Sequence, residues 1–389
     1  MATPLSTPHP QRVKNHLEEL HDYGQSVWYD NISRDLIKQG GLQKLIDESG
    51  VRGVTSNPTI FAKATAESKM YDDEIREGID KGLDAEQIFE NLAVADIGAA
   101  ADIFRPLYDQ SKGIDGYVSI EVSPTLAHNT ETTETVARRL WTEINRPNVM
   151  IKVPATPEGL PAITTLIGEG INVNVTLIFG LERYKQVIDA YLAGLDRLIA
   201  AGRPLDKVAS VASFFVSRVD TLVDKELDAK IKATSGAEAE HLKSLLGKAA
   251  IANAKLAYEL FLQIFHGKRF ETYRAHQAQV QRPLWASTST KNPNYRDVIY
   301  VEQLVGMETV DTMPPATIVA FGEHGEVCET VTQNVKQAHD AFQQLAEVGI
   351  HMDRVGQQLE DEGVTSFGNS FKELLQTIDG KRQVVAAAS

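Results

Sequence analysis

The chain is poor in the features that tie a protein to a membrane, a nucleic acid or an oxidising compartment. It has one cysteine, Cys328. A lone thiol forms no internal disulfide, so the expected setting is a reducing one, the cytoplasm. No run reaches the ~20 apolar residues that span a bilayer; the alanine-rich stretch from Ala93 to Phe104 is cut by Asp96 and Asp102. Residues 1–22 form a polar, proline-dotted leader without the apolar core of a signal peptide. Lys and Arg number 39 against 53 Asp and Glu, a net charge of −14, which excludes a basic footprint for nucleic acid. A site for an anionic ligand must therefore be locally basic inside an acidic protein. The ten histidines form no close metal-ligand set: His16 and His21 lie in the leader, and His128 reads as a loop residue. No metal is expected.

What the chain does have is alternation. Short apolar, β-rich runs are separated by longer helical patterns. The runs are Ser26 to Asp30, Gly53 to Pro58, Gly116 to Val122, Asn148 to Pro154, Gly170 to Thr176, Val208 to Phe215, Pro283 to Thr288 and Glu308 to Met313. Strand alternating with helix implies a parallel sheet. Eight such units closing on themselves make an α/β fold of the TIM (β/α)8 barrel type, with helical insertions. The competitor, an open doubly wound sheet, usually carries a glycine-rich phosphate turn after its first strand; here that strand ends Trp28-Tyr29-Asp30-Asn31. The expected organisation is a leader over 1–22, a catalytic barrel over 23–330 and a helical C-terminal extension over 331–389 packed on the barrel. Asp84 with Gln87 reads as a capping box opening a helix. The acidic run Glu360, Asp361 and Glu362, followed by Gly363, reads as a solvated helix terminus.

In this fold catalytic groups sit at the C-terminal ends of strands. Nearly every candidate strand here carries polar residues toward that end: Asp30; Thr55, Ser56 and Asn57; Glu121; Lys152; Asn174 and Thr176; Ser213, followed by Arg218; and Ser287, followed by Lys291. Lys152 is the most telling. It lies inside Val149-Met-Ile-Lys-Val-Pro154, where desolvation disfavours the ammonium form and a neutral amine can condense with a ketone. An isolated strand lysine ordinarily packs its stem and snorkels its head to water, but the neighbouring strand ends argue otherwise. Asp30 and Glu121 supply two carboxylates for proton transfer. Asn57, Asn174 and Thr176 can bond sugar hydroxyls or, more blandly, satisfy strand-end backbone. Arg218 and Lys291 with nearby hydroxyls make a phosphate clamp; the alternative for Arg218 is pairing with Asp220 or Asp224 on the following helix.

Five ordered segments, Thr55 to Thr59, Ser119 to Val122, Met150 to Pro154, Ile171 to Thr176 and Ser213 to Arg218, resemble the transaldolase family, and the likeness covers roughly Ser26 to Thr317. The tail around Trp285 to Tyr295 is similar to the longer bacterial members. The resemblance implies Lys152 as the Schiff-base lysine, Asp30 handling the C4 hydroxyl proton, and Glu121 acting through a water that Thr176 helps to hold. It further implies that Asn57 and Asn174 bind the dihydroxyacetone part, with Thr55 beside them, and that Arg218 holds phosphate with Ser213 and Ser287. One departure is plain: where the family often has an arginine soon after strand seven, Lys291 is the nearest cation, a point charge without the guanidinium fork. Phe215 stands where related fructose-6-phosphate aldolases have a tyrosine, favouring transfer over release.

The activity so implied moves a dihydroxyacetone unit from sedoheptulose 7-phosphate to glyceraldehyde 3-phosphate. The products are erythrose 4-phosphate and fructose 6-phosphate, as in the non-oxidative pentose phosphate pathway. Sugar phosphates are the partners, no cofactor is required, and the assembly is a monomer or a homodimer. Two rivals remain: an aldolase that frees dihydroxyacetone, and a non-catalytic phosphosugar-binding barrel.

Overall fold

A computed structural model describes residues 14–387. Eight parallel strands close into a barrel in sequence order: β1 (Gln25–Asp30), β2 (Gly53–Thr55), β3 (Tyr117–Glu121), β4 (Val149–Pro154), β5 (Val173–Ile178), β6 (Ser210–Phe215), β7 (Arg282–Ala286) and β8 (Thr309–Met313). The seam closes where β8 pairs with β1, Gln25 opposite Thr309 through Tyr29 opposite Met313. The barrel expected from the alternation is the barrel observed. Residues 1–13 of the polar leader lie outside the described residues; the leader's remainder includes a capped helical turn, His16–Glu19, that buries Leu17.

Helices begin where the sequence supplies caps. The Asn57 side chain accepts from the Ile60 amide, with Pro58 in the first helical turn; proline is pre-set for that position and loses no intrahelical bond there. Asp84 and Gln87 form the reciprocal capping box that opens the helix Ala85–Gln110. Among the described residues no helix is long and apolar enough to cross a membrane.

The last helix, Met352–Ala387, has 36 residues and is therefore about 54 Å long. It is not merely laid on the outer wall. Near its start, a Cβ at Gly356 would stand 3.3 Å from the Gly180 Cα, and one at Gly363 would stand 3.1 Å from the Leu177 side chain. Near its end, Lys381 bonds Asp72 at 3.0 Å and Arg382 bonds the Leu83 carbonyl at 2.9 Å. The helix thus runs from the end of β5 to the helices after β2, across the strands' C-terminal mouth. Its apolar stripe, including Val355, Leu359, Phe367, Phe371, Leu374 and Ile378, is buried.

The acidic run Glu360 to Glu362 is therefore no helix terminus. Gly363 sits inside the helix where the Leu177 and Phe179 side chains leave little room for a Cβ, a packing reason for a residue that otherwise costs helical stability. Glu360 is buried and ion-paired with Arg183 at 2.8 Å.

Candidate active site

Strand alternation turns Asp30, Thr55, Ser119, Glu121, Lys152, Asn174, Thr176, Ser213 and Phe215 toward the inside of the barrel, since successive side chains face opposite sides. The parallel register sets Glu121 beside Lys152, and Lys152 beside Asn174. The β5 end is irregular: the register with β6 shifts between Val175 and Ile178, and Leu177 takes φ +61°, a left-handed conformation uncommon for a branched side chain.

Lys152 is 5% exposed. Its Nζ donates to the Ser56 carbonyl at 3.2 Å and lies 3.5 Å from Glu121 Oε2. Burial raises the Glu121 carboxyl above its ordinary value, with Lys152 pulling it back. Asp30 is likewise raised by burial and opposed first by Lys152, then by the Thr55 hydrogen bond and Lys291. Each carboxyl is thus shifted toward the range where it can both take and give a proton. The Thr55 hydroxyl donates to Asp30 Oδ1 at 2.7 Å and lies 2.6 Å from the Thr312 hydroxyl, so Thr55 orients this carboxylate. Asn174 is held from both ends: its amide donates to Ser119 Oγ at 3.1 Å and its oxygen accepts from Ser213 at 2.7 Å. Thr176 Oγ1 is buried without a partner among the described residues, a polar atom that needs a water or a substrate hydroxyl.

Around this centre lie two cations. The Arg218 guanidinium faces the Phe215 ring at 5.5 Å and the Phe367 ring at 5.9 Å. Among the described residues it forms no ion pair. Asp220 and Asp224, its possible partners on the next helix, are occupied elsewhere. Asp220 accepts from the Ala250 amide and the Tyr300 hydroxyl, and Asp224 from the Gly247 amide and the Tyr295 hydroxyl. Burial pulls the guanidinium below its ordinary value, with Glu362 opposing. Burial also pulls Lys291 down, and Arg218 adds to the effect. The two cations are therefore close enough to repel, with Asp30 opposing at Lys291, and the Lys291 amine donates to the Ser289 hydroxyl at 2.7 Å. Two neighbouring cations that form no ion pair with a carboxylate among the described residues make a place for a dianion.

Some expected members play other parts. Ser213 is spent on Asn174 rather than on the arginine. The hydroxyl beside Ser287 is that of Ser217, 2.9 Å away, at the start of the helix carrying Arg218. Ser287 itself holds φ +58°. Asn57 uses its oxygen as a helix cap, leaving its amide group for a ligand. His128 is exposed and pairs with Glu158. Among the described residues no group of three or more His, Cys, Asp or Glu side chains could hold a metal ion.

Sequence reading missed Ser217 and Phe367. Ser217 sits in the Phe-Val-Ser-Arg run and was visible there; Phe367 comes from 215 positions beyond Lys152, and no local pattern places it.

Compared with known proteins, residues 27–378 match the family described as Transaldolase/Fructose-6-phosphate aldolase. The chain is 46% identical over 378 residues to Transaldolase 2 of Nostoc sp. strain PCC 7120, covering 96% of this chain and 99% of that one. It is 49% identical over 374 residues to Transaldolase of Parafrankia sp., covering 96% and 99%. It is 48% identical over 363 residues to Transaldolase of Thermobifida fusca, covering 93% and 97%.

Proposed function

The chain belongs to the transaldolase/fructose-6-phosphate aldolase family and is an enzyme, and from that premise we propose how its residues divide the work of transferring a dihydroxyacetone unit from sedoheptulose 7-phosphate to glyceraldehyde 3-phosphate. The observation that carries the reading is a buried lysine, Lys152, held 3.5 Å from the Glu121 carboxylate in a barrel mouth shared with Asp30.

The Lys152 amine adds to the donor's C2 carbonyl. Glu121, through a water held with Thr176, moves the protons that let the carbinolamine lose hydroxide as water and become an iminium. Asp30 takes the C4 hydroxyl proton. The C3–C4 bond then breaks, its electron pair flows into the iminium, an aldose departs and an enamine remains. C3 of the enamine attacks the acceptor aldehyde, and Asp30 returns a proton to the new alkoxide. Water adds at C2, the C–N bond breaks and the new ketose leaves. Asn174, fixed by Ser119 and Ser213, and the Asn57 amide group grip the three-carbon part. Arg218 and Lys291, with the Ser217 and Ser287 hydroxyls, take the phosphate. Sugar phosphates are the partners. We place the enzyme in the cytoplasm as a monomer or homodimer, with a catalytic barrel over 23–330 and the extension over 331–389.

The test is acceptor dependence. With fructose 6-phosphate and erythrose 4-phosphate together, sedoheptulose 7-phosphate forms rapidly; with fructose 6-phosphate alone, turnover stops near one dihydroxyacetone per enzyme on the assay's timescale. Sustained release without an acceptor assigns the chain to the aldolase side of its family.

A further inference from the structure

We propose that Phe367, on the C-terminal helix, shields the enzyme-bound enamine from water and so decides between transfer of the three-carbon unit and its release. The inference rests on the Schiff-base reading above.

The ring is 8% exposed. Its centroid lies 5.8 Å from Lys152 Nζ and 5.9 Å from Arg218 Cζ. One ring therefore overlooks both the point where a ketose is bonded and the point where its phosphate is held. A donor that joins the two cations lies beneath it. When the donor's C3–C4 bond breaks, the phosphate leaves with the aldose, and the anion site is vacated while the enamine remains on Lys152. Water then has its best route to the reactive carbon, and Phe367 still covers it. The Phe179 ring, which lies beside Gly363 of the C-terminal helix, and the Phe215 ring, 4.9 Å from it, extend this apolar cover.

The cover is fixed rather than loose. One turn before it, Gly363 seats the helix against Leu177. One turn after it, Phe371 meets Phe89 edge-on at 5.8 Å, and Phe89 meets Phe61 edge-on at 5.5 Å. The buried Glu360–Arg183 ion pair at 2.8 Å holds the same segment.

The reaction that the ring suppresses balances simply. A proton from water joins C3 of the enamine, giving the iminium of dihydroxyacetone. A water oxygen bonds to C2, the C–N bond breaks, and free dihydroxyacetone and the Lys152 amine result. Keeping water from C3 slows the first of these steps without touching attack by the aldehyde, which arrives as a bound substrate.

The test compares the parent enzyme with Phe367→Ala and Phe367→Leu. It measures dihydroxyacetone released per transfer event, with fructose 6-phosphate as donor and erythrose 4-phosphate as acceptor. This ratio does not depend on what fraction of a sample is folded, and Phe367→Val offers a milder truncation with the same expected direction. The alanine variant should raise the ratio by about tenfold, and the leucine variant should stay near the parent. Borohydride reduction in the presence of donor should give a Lys152 adduct in every variant. An adduct with an unchanged ratio in Phe367→Ala overturns the shielding role alone. No adduct even in the parent overturns the Schiff-base reading and this inference with it.

Discussion

Arg282 at the floor of the barrel is buried and Arg218 at its mouth is half-buried, and their surroundings are opposite. Arg282 donates to the Ile114 carbonyl, Asp115, the Ser26 hydroxyl and the Thr309 carbonyl at 2.6–3.2 Å. Arg52 joins the same network, reaching Asp115 at 3.4 Å and His21 Nδ1 at 3.0 Å. At the floor Arg282 and Arg52 share one carboxylate, Asp115, and Arg282 is further held by carbonyls and a hydroxyl. At the mouth, Arg218 has aromatic rings for neighbours and another cation, Lys291, nearby. A charge drawn even partly from water without a protein partner costs free energy, and such a cost is retained where a ligand supplies the partner. The same barrel thus carries one end built for stability and one left incomplete for chemistry, the division expected between the two faces of this fold.

Four substitutions sharpen the contrast, in falling order of effect. Lys152→Met keeps an unbranched side chain of similar size but removes the amine. Transfer should fall by ~10⁴-fold or more, with melting temperature little changed, because covalent catalysis is lost outright; steady-state kinetics beside calorimetry checks this. Arg282→Met should do the reverse. Stripping the floor network of its central charge leaves Asp115 short of a partner and costs about 3–5 kcal/mol of stability, read by denaturant unfolding, while the folded fraction keeps its kcat.

Arg218→Ala should raise KM for phosphorylated donors by about 100-fold, with a much smaller effect on stability than Arg282→Met. A stability loss equal to that of Arg282→Met would erase the distinction between the two ends. The smallest effect is a pH dependence at the floor. Burial, helped by Arg52, lowers the His21 pKa to about 4. The unfolded chain binds that proton near pH 6.5, so stability present above 6.5 is lost as pH falls toward 4. His21→Gln should remove about 1–2 kcal/mol of this acid sensitivity, seen as a flatter unfolding midpoint between those pH values, with the pH profile of kcat at the mouth unmoved.

The mouth was more legible in the sequence than its cover. Asp30, Glu121, Lys152 and Asn174 announce themselves because each is polar at a strand's C-terminal end inside an otherwise apolar run, and a period of two then sends them to one side. The eight strands follow from the same alternation, though β2 shortens to Gly53–Thr55. Partner choice was less legible. Asn174, not Arg218, claims Ser213, and Ser217 stands beside Ser287 in its place. Both are decided by ångström-scale geometry between neighbouring strand ends. The cover was hidden for a deeper reason. A glycine after an acidic run looks the same whether it ends a helix or lets one pack close against neighbouring side chains, and only the approach to Leu177 reveals which holds at Gly363. Phe367 likewise looks like any apolar position of an amphipathic helix until the mouth is beneath it.

The covalent role of Lys152 is tested most directly by trapping. The enzyme is incubated with fructose 6-phosphate, reduced with borohydride, digested and mapped by mass spectrometry. One added mass, that of the reduced dihydroxyacetone imine, is expected on the peptide containing Lys152, and it should disappear in Lys152→Met. An unmodified Lys152 peptide in a sample that is still turning over, or a label on another lysine, would contradict it.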